Sequence, residues 1–450
     1  MGMLELVHKI VWGPWLMGLF LAVGLKFTIQ SRGFQLKGFC VWWRGTAGSF
    51  FRKEAGEGSV PRREQMKTAC TALAATVGTG NIVGVATAIT CGGPGALLWM
   101  WASAFVGMAT AYAEVYLGTA SRLRDRCGQY VCGPFVYLEK MAARPGLAAL
   151  YAWLCVLSSL GMGSMVQANS MAETARYTFH IPKACTAVLL CVLVICIIRG
   201  GGKAIGRIAS GLVPFSAGLY LLGTLAVLFW GRASLVPVFQ DIIRDAFGLR
   251  AAAGGAAGYG ISQALRYGLA RGVFSNEAGL GSLAVLHGDA PGQDPKLQGM
   301  WAIFEVFFDT IVVCTLTGLA ILCAIKESGA GPGFSGAALA SWCFSAYFGR
   351  FGGYFVSLSL MLFAFATIIA WYYLGSRALH YLLFKSGESS SRMKLAQVYL
   401  WAYLLAVGMG CVVSMGKVWL LSDIFNGLMA LPNLAALLLL AREVKFPGSP

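Results

Sequence analysis

The sequence predicts an all-α polytopic membrane protein with about eleven transmembrane helices, arranged as a five-plus-five inverted repeat in which spans 2 and 7 are broken. Three observations support this fold class. The 450 residues are 57% hydrophobic and only 12% charged, whereas a soluble domain carries about 25% charged residues. Apolar runs of about 20 residues, long enough to cross a bilayer, recur along the chain. Two of these runs, five spans apart, are interrupted by glycines and polar residues.

A single transmembrane domain, residues 1–450, accounts for the whole pattern. Residues 11–30 form an extra first helix, which is retained because no small-residue cleavage site follows it. Residues 31–65 mix aromatic and basic side chains and predict an amphipathic segment on the cytoplasmic membrane surface. Residues 66–230 hold spans 2 to 6, the first repeat, and residues 260–441 hold spans 7 to 11, the second. Because each repeat has an odd number of spans, the two repeats are inverted.

The basic residues indicate the orientation. Lysine and arginine are concentrated in alternate loops, above all in 31–65 and 122–144, and such loops face the cytoplasm. The N-terminus is therefore expected outside and the C-terminus in the cytoplasm. This distribution explains the net charge of +16 without a nucleic-acid partner. The cysteines lack metal-ligand or disulfide spacing, the histidines are not paired at ligand spacing, and no GxxxxGK[ST] loop is present, so neither an enzyme nor an ATP-driven pump is indicated.

The interruptions in spans 2 and 7 predict a binding site. They are TVGTGN, residues 76–81, and FSNEAGLG, residues 274–281. Unwinding a helix at mid-membrane frees N–H groups, which favour a carboxylate, and carbonyls, which favour sodium or an amine. Close packing through small residues explains the glycines about as well. It does not explain the polar stretches Thr79-Gly80-Asn81 and Ser275-Asn276-Glu277, because polar groups at membrane depth need partners.

Some ionisable residues within the spans keep two interpretations. Glu277 could take part in proton coupling, or it could pair with Arg271 or Arg266 and hold the broken helix. Glu305 and Asp309 lie one helical turn apart on one face of span 8. They could line a cavity or bind a cation, or they could simply be hydrogen-bonded to their neighbours.

Several segments of the chain resemble the alanine or glycine:cation symporter family. They are ATVGTGNIVGVATAI (75–89), GGPGALLWMW (92–101), MVQANS (165–170), RGVFSNEAGLGS (271–282) and FAFATIIAWYYLG (363–375). The resemblance covers nearly the whole chain in order. It implies import of a small neutral amino acid, alanine or glycine, by symport with a sodium ion, with a proton as the alternative cation, through alternating access. Membrane lipids are the other expected partners, and a monomer is compatible with this reading.

The resemblance also implies site residues in this chain. The substrate would be bound by Gly78, Thr79, Gly80, Asn81, Gln167, Ser275, Asn276, Gly279 and Trp371. The sodium ion would be held by Ala75, Gly78 and Thr367. This chain has Ala366 where the family usually has a second hydroxyl residue, so Thr367 is the only side-chain oxygen left of that pair. A proton-coupled carrier or exchanger therefore stays open as an alternative, as does an amino-acid sensor that binds without transport.

Overall fold

The computed structural model describes residues 2–51, 62–124, 128, 130–248, 256–290, 294–329, 333–384 and 389–447, and these are almost wholly helical. The first helices are α1 (Met3–Val11), α2 (Pro14–Gln30), α3 (Phe34–Lys37), α4 (Phe39–Gly45), α5 (Arg62–Thr76), α6 (Val83–Gly92), α7 (Ala96–Ser121), α8 (Pro134–Lys140), α9 (Pro145–Ser158), α10 (Gln167–Phe179), α11 (Lys183–Ile198), α12 (Gly201–Trp230) and α13 (Arg232–Ala246). Those that follow are α14 (Ala256–Asn276), α15 (Ser282–Leu286), α16 (Pro295–Val306), α17 (Thr315–Ser328), α18 (Gly336–Phe348), α19 (Arg350–Phe384), α20 (Ser389–Val412) and α21 (Met415–Leu439). A short antiparallel hairpin pairs β1 (Leu123–Arg124) with β2 (Tyr130–Val131).

The predicted membrane-spanning architecture is confirmed. Within the described residues, eight helical stretches are long and apolar enough to cross a bilayer, and one more, Glu64–Thr76 with Thr79–Gly92, is bent by 55° at a break. The shorter apolar helix α11 stands where span 5 was predicted, and α14 with α15 stands where span 7 was predicted. The exact number of eleven spans stays a prediction.

The first helical region begins earlier than the predicted residue 11. α1 starts at Met3, and the chain turns at Gly13 before α2. Pro14 is the first residue of α2, a position that needs no N–H donor and suits the fixed φ of proline. Three later helices begin with a proline in the same way, at Pro134, Pro145 and Pro295.

The predicted amphipathic segment 31–65 is only partly helical and packs against span 8. It contains α3, α4 and a 3-10 turn at Ala47–Phe51, and α5 already begins at Arg62. Trp42 is buried, and its indole donates to the Gln35 carbonyl at 3.1 Å. The Trp42 ring centroid lies 5.5 Å from that of Phe307. Residues 52–61 of this segment lie outside the described residues, and its contact with the membrane surface stays a prediction.

Glycines allow α14 to lie directly against α7. A Cβ on Gly268 would lie 2.4 Å from the Ala96 carbonyl oxygen, and one on Gly272 would lie 2.1 Å from Ser103 Oγ. Gly268 and Gly272 share one face of α14 because they are four residues apart. Small residues with this spacing mediate close helix packing in membranes. At these two positions the close-packing interpretation of the glycines therefore applies.

Two π-helical turns interrupt long helices beside the breaks. One, Ser159–Val166, joins α9 to α10 within span 4 (Pro145–Phe179), and the other, Phe307–Cys314, joins α16 to α17 within span 8 (Pro295–Ser328). The first packs against α19, α20 and α21, and the second packs against α7, α14 and the turn Thr79–Asn81. Such turns are frequent at functional sites. The residues around the two breaks are therefore candidates for a functional site.

Candidate functional site

The first break lies where α5 passes into α6, and its N–H groups bond to side chains. Gly78 N–H donates to the Asn81 side-chain oxygen at 2.9 Å, and Thr79 N–H donates to Gln167 Oε1 at 3.3 Å. All four residues are buried. In a continuous helix these N–H groups would bond to carbonyls four residues earlier. The side chains of Asn81, within the break, and of Gln167, on α10, therefore stabilise the unwound backbone.

The carbonyl side of the first break contacts Thr367 on α19. The N–H groups of Gly78 and Thr79 leave the carbonyls of Ala74 and Ala75 without their helical donors. Thr367 Oγ1 donates to the Ala74 carbonyl at 2.9 Å. A Cβ on Gly78 would lie 2.6 Å from Thr367 Oγ1, so glycine is required there. Gly78 and Thr367 are thus brought together, and Ala75 is adjacent to the carbonyl that Thr367 binds.

The second break separates α14 from α15 and is strained. Its backbone takes positive φ angles at Glu277 (57°), Gly279 (90°) and Gly281 (80°). Positive φ is uncommon in a residue with a side chain and persists where the surroundings enforce it, often at functional sites. Glycine adopts it freely, which explains Gly279 and Gly281.

Two hydrogen bonds fix the strained Glu277. Its carboxylate accepts from Ser282 Oγ at 2.5 Å and from Trp371 Nε1 at 3.0 Å. The sequence also allowed a pairing of Glu277 with Arg271 or Arg266. The pairing with Arg271 is wrong, because Arg271 binds another carboxylate. The described ion pairs include none between Glu277 and Arg266. Glu277 instead joins the second break to α19.

Asp309, in the π-helical turn of span 8, connects the two breaks. Its Oδ1 accepts from Asn81 Nδ2 at 2.6 Å, and its Oδ2 accepts from Ser275 Oγ at 2.8 Å. The breaks also touch directly, since a Cβ on Gly80 would lie 3.2 Å from Ser275 Cα. Glu305, one turn earlier on span 8, is buried beside His287 at 3.0 Å instead. The two carboxylates therefore have different surroundings despite their shared helix face.

Trp371 lies between Glu277 and the π-helical turn of span 4. The side chain is fully buried, and a Cβ on Gly163 would lie 2.3 Å from Trp371 Cβ. Gln167, at the end of the same π-helical turn, reaches the first break. Asn169 points elsewhere, donating to carbonyls of Gly410 and Val413. Trp371 and Gln167 thus flank the breaks from two different elements.

The other predicted substrate ligands of the second break have partners of their own. Asn276 Nδ2 donates to Thr310 Oγ1 at 3.2 Å, and the Gly279 carbonyl accepts from Asn433 Nδ2 at 2.9 Å. These contacts join Asn276 to span 8 and Gly279 to α21, and neither is a direct contact with the first break. In contrast, the Thr79 hydroxyl is buried and has no hydrogen-bond partner among the described residues. An orphaned buried hydroxyl of this kind costs about 1–3 kcal/mol, which a ligand could recover.

A cavity of about 800 Å³ opens at one end of the helices. We call it the vestibule. Basic side chains contribute to its lining, namely Lys67, Lys203 and Arg377. Leu286, at the end of α15, also lines it. The vestibule therefore lies at the end of the molecule that span 7 reaches after its break.

An ion pair lies on the other side of the second break. Arg271, on α14 before the second break, donates to Asp423 Oδ2 on α21 at 2.9 Å, and His8 Nε2 lies 3.4 Å from the same oxygen. The Arg271 guanidinium also lies 5.0 Å from the Trp419 ring centroid. Because Arg271 precedes the second break and Leu286 follows it, this cluster and the vestibule lie at opposite ends. Sequence reasoning missed Asp423 and His8, although an arginine within a span signals that a partner is needed.

Comparison with known proteins gives consistent matches over the full length. The sequence profile of the sodium:alanine symporter family matches residues 1–446. The chain is 37% identical over 445 residues to the sodium/alanine symporter AgcS of Methanococcus maripaludis, covering 97% of this chain and 94% of that protein. It is 33% identical over 452 residues to the putative sodium/proton-dependent alanine carrier protein YrbD of Bacillus subtilis, covering 97% of this chain and 89% of that protein.

The fold is similar to that of solved inverted-repeat transporters. A Na⁺-coupled sialic acid symporter, solved in a substrate-bound outward-open state, superposes with a TM-score of 0.55 at 14% identity, over 90% of this chain and 82% of that one. At this identity the likeness concerns the fold alone. It agrees with the predicted five-plus-five inverted repeat with broken helices.

Proposed function

The chain belongs to the sodium:alanine symporter family, and on this premise we propose that it imports alanine or glycine together with sodium by alternating access. Its relatives are transporters, so the chain is a membrane transporter for cation-coupled amino-acid transport and not an enzyme. The particular amino acid, the sodium ion and the direction of transport are the proposal. The proposed location is the plasma membrane, with the N-terminus outside.

The observation that carries the proposal is the pair of helix breaks in direct contact with each other. Thr79 offers an orphaned hydroxyl to a ligand, and its backbone N–H already donates to Gln167 Oε1. A half-helix N-terminus favours the α-carboxylate of an amino acid. Trp371 restricts the space for a substrate side chain. A tight wall favours alanine and glycine, although each methylene changes affinity by only about 1–3 kcal/mol.

The proposed sodium ligands are oxygens at the first break. Unwound backbone carbonyls coordinate sodium in transporters built on broken helices. Thr367 Oγ1, 2.9 Å from the Ala74 carbonyl, and the released Ala75 carbonyl belong to this group. The carbonyl of Gly78 is the third candidate. This donor set consists of neutral oxygens and suits a monovalent cation.

The proposed conformational state is inward-facing. Two of the basic residues that line the vestibule, Lys203 and Arg377, belong to the loops that the positive-inside rule assigns to the cytoplasm. The Arg271–Asp423 pair then closes the outer end. Transport requires the opposite state as well, in which this pair separates and the vestibule closes around α5 and α15.

Uptake into proteoliposomes tests the proposal. We expect radiolabelled alanine to accumulate above equilibrium when sodium is higher outside, and not when potassium replaces sodium. Thr367→Val removes the side-chain oxygen of the sodium site and should lower sodium-driven uptake at least tenfold, mainly by raising the sodium concentration needed. A tenfold weaker binding of sodium corresponds to a loss of about 1.4 kcal/mol in binding free energy.

The matched control is Thr87→Val on α6, the half of span 2 that follows the first break. The Thr87 hydroxyl donates only to the Val83 carbonyl of its own helix, so uptake should stay within about twofold of the wild type. Alanine accumulation that does not depend on the sodium gradient would favour a proton-coupled carrier or exchanger. Binding of alanine without any accumulation would favour the sensor and would overturn the proposal.

A further inference from the structure

Asp309 carries an unusual set of hydrogen bonds. Besides Asn81 and Ser275, Thr310 Oγ1 donates to its Oδ2 at 2.9 Å. Asn276 Nδ2 in turn donates to Thr310 Oγ1 at 3.2 Å. Residues of both breaks thus converge on one fully buried carboxylate.

Within the part of the chain that the structure describes, no cationic side chain pairs with this carboxylate. The titratable groups around it are the Cys314 thiol, 3.3 Å from Ser275 Oγ and 3.4 Å from Asn81 Nδ2, and the Glu277 carboxylate on the second break. An uncompensated carboxylate at membrane depth is expensive and is commonly part of an ion or proton pathway. A positive charge must therefore reach Asp309 during the transport cycle, because the buried negative charge is otherwise energetically unfavourable.

The neighbouring groups suit a proton better than a metal cation. Asn81 turns its Nδ2 donor towards Asp309 because its oxygen accepts from Gly78 N–H, so a metal ion there would face an N–H₂ group. The hydroxyls of Ser275 and Thr310 can donate to a charged carboxylate or accept from a protonated one. Ser275 also has Cys314 as a second partner. Both protonation states of Asp309 can thus be hydrogen-bonded without rearranging the backbone.

We propose that Asp309 is a proton-coupling residue, so that each transport cycle moves a proton in addition to the sodium ion. This inference rests on the proposed amino-acid import. In the proton step, Asp309 takes one proton from water on the outer side and becomes a neutral carboxylic acid. The same proton passes to water on the cytoplasmic side, which restores the carboxylate. Protonation weakens the charge-assisted bonds to Asn81 and Ser275, and it therefore loosens the connection between the two breaks.

The test measures protons and alanine in the same proteoliposomes. A pH-sensitive dye is enclosed, sodium is equal on both sides, and potassium with valinomycin clamps the membrane potential. Adding alanine outside should acidify the lumen of wild-type vesicles. Asp309→Asn should lower the ratio of protons to alanine entering by at least tenfold, whatever the remaining alanine rate. Glu305→Gln removes a buried carboxylate one turn away and should leave the ratio unchanged.

The possible results separate the two proposals. A wild type that accumulates alanine on a sodium gradient but never acidifies the lumen overturns the role of Asp309 and leaves the proposed function intact. An unchanged proton-to-alanine ratio in Asp309→Asn also overturns it. If Asp309→Asn does not take up alanine at all, Asp309→Glu, which keeps the carboxyl group, should restore uptake with acidification. Restored uptake without acidification would again contradict the proposal.

Discussion

Gly163 and Trp371 show how little room the candidate site has for change. The Cα of Gly163 lies so near Trp371 that an added Cβ would be 2.3 Å from the Trp371 Cβ, and Trp371 is also bound to Glu277. Real carbon atoms do not approach so closely, so either the tryptophan or the π-helical turn must shift. The position of the tryptophan wall therefore depends on the absence of a side chain at Gly163.

Gly163→Ala is predicted to impair both stability and transport. Overpacking of this kind costs about 1–3 kcal/mol, so the melting temperature in detergent should fall. Because Trp371 moves, the KM for alanine should rise at least fivefold, more than kcat changes. Gly211→Ala is the matched control, since a Cβ there meets nothing within 4 Å. Equal effects of both substitutions would contradict the role assigned to Trp371.

At the scale of elements, the two breaks were accessible to sequence reasoning and their partners were not. Glycines near Asn81 and Ser275 are a local signal of a helix break, because glycine lowers the stability of a helix whatever the helix packs against. The hydrogen bonds from these residues to Asp309 join positions 228 and 34 residues apart in the sequence. From the sequence alone, Asp309 was one of several carboxylates within the spans. The site residues named from the family resemblance stay predictions, although contacts link several of them. A local pattern indicates where a helix breaks, whereas tertiary packing decides what it meets.

The contact between α14 and α21 shows the same limit and leads to a prediction. Arg271 and Asp423 are 152 positions apart, and both side chains are largely buried. Removing one partner of a buried pair costs about 3–5 kcal/mol. Asp423→Asn should therefore release the part of α14 before the break. Hydrogen exchange followed by mass spectrometry should be at least tenfold faster in peptides from residues 263–276.

A second ion pair provides the control for Asp423→Asn. Asp241 and Lys326 join α13 to α17 at 2.7 Å, but the lysine is 43% exposed. Exposed pairs contribute only about 0–1 kcal/mol. Asp241→Asn should leave exchange in α14 unchanged. If α14 exchanges no faster in Asp423→Asn than in Asp241→Asn, the ion pair does not hold that end closed.

For the whole molecule, the decisive relation is that between the vestibule and the ion-pair cluster beyond the second break. One end holds a cavity of about 800 Å³, and the other holds the cluster of Arg271, Asp423 and His8. Such a difference is what one state of an alternating-access cycle requires, since the site must open to one side at a time. Which side is the cytoplasm depends on the orientation of the chain in the membrane. The proposed inward-facing state therefore follows from the proposed orientation.

α11 offers an internal test of the orientation. Cys185 lies in its first turn and Cys196 in its last, and both are exposed. With the N-terminus outside, Cys185 is near the outer surface and Cys196 near the cytoplasm. A membrane-impermeant maleimide applied to intact cells should therefore modify Cys185, and it should reach Cys196 only after permeabilisation, as read by mass spectrometry of the peptides. The two thiols share one helix, so each is the control for the other. The reverse order of labelling would place the vestibule outside, and the structure would then represent an outward-facing state closed at its cytoplasmic end by the Arg271–Asp423 pair.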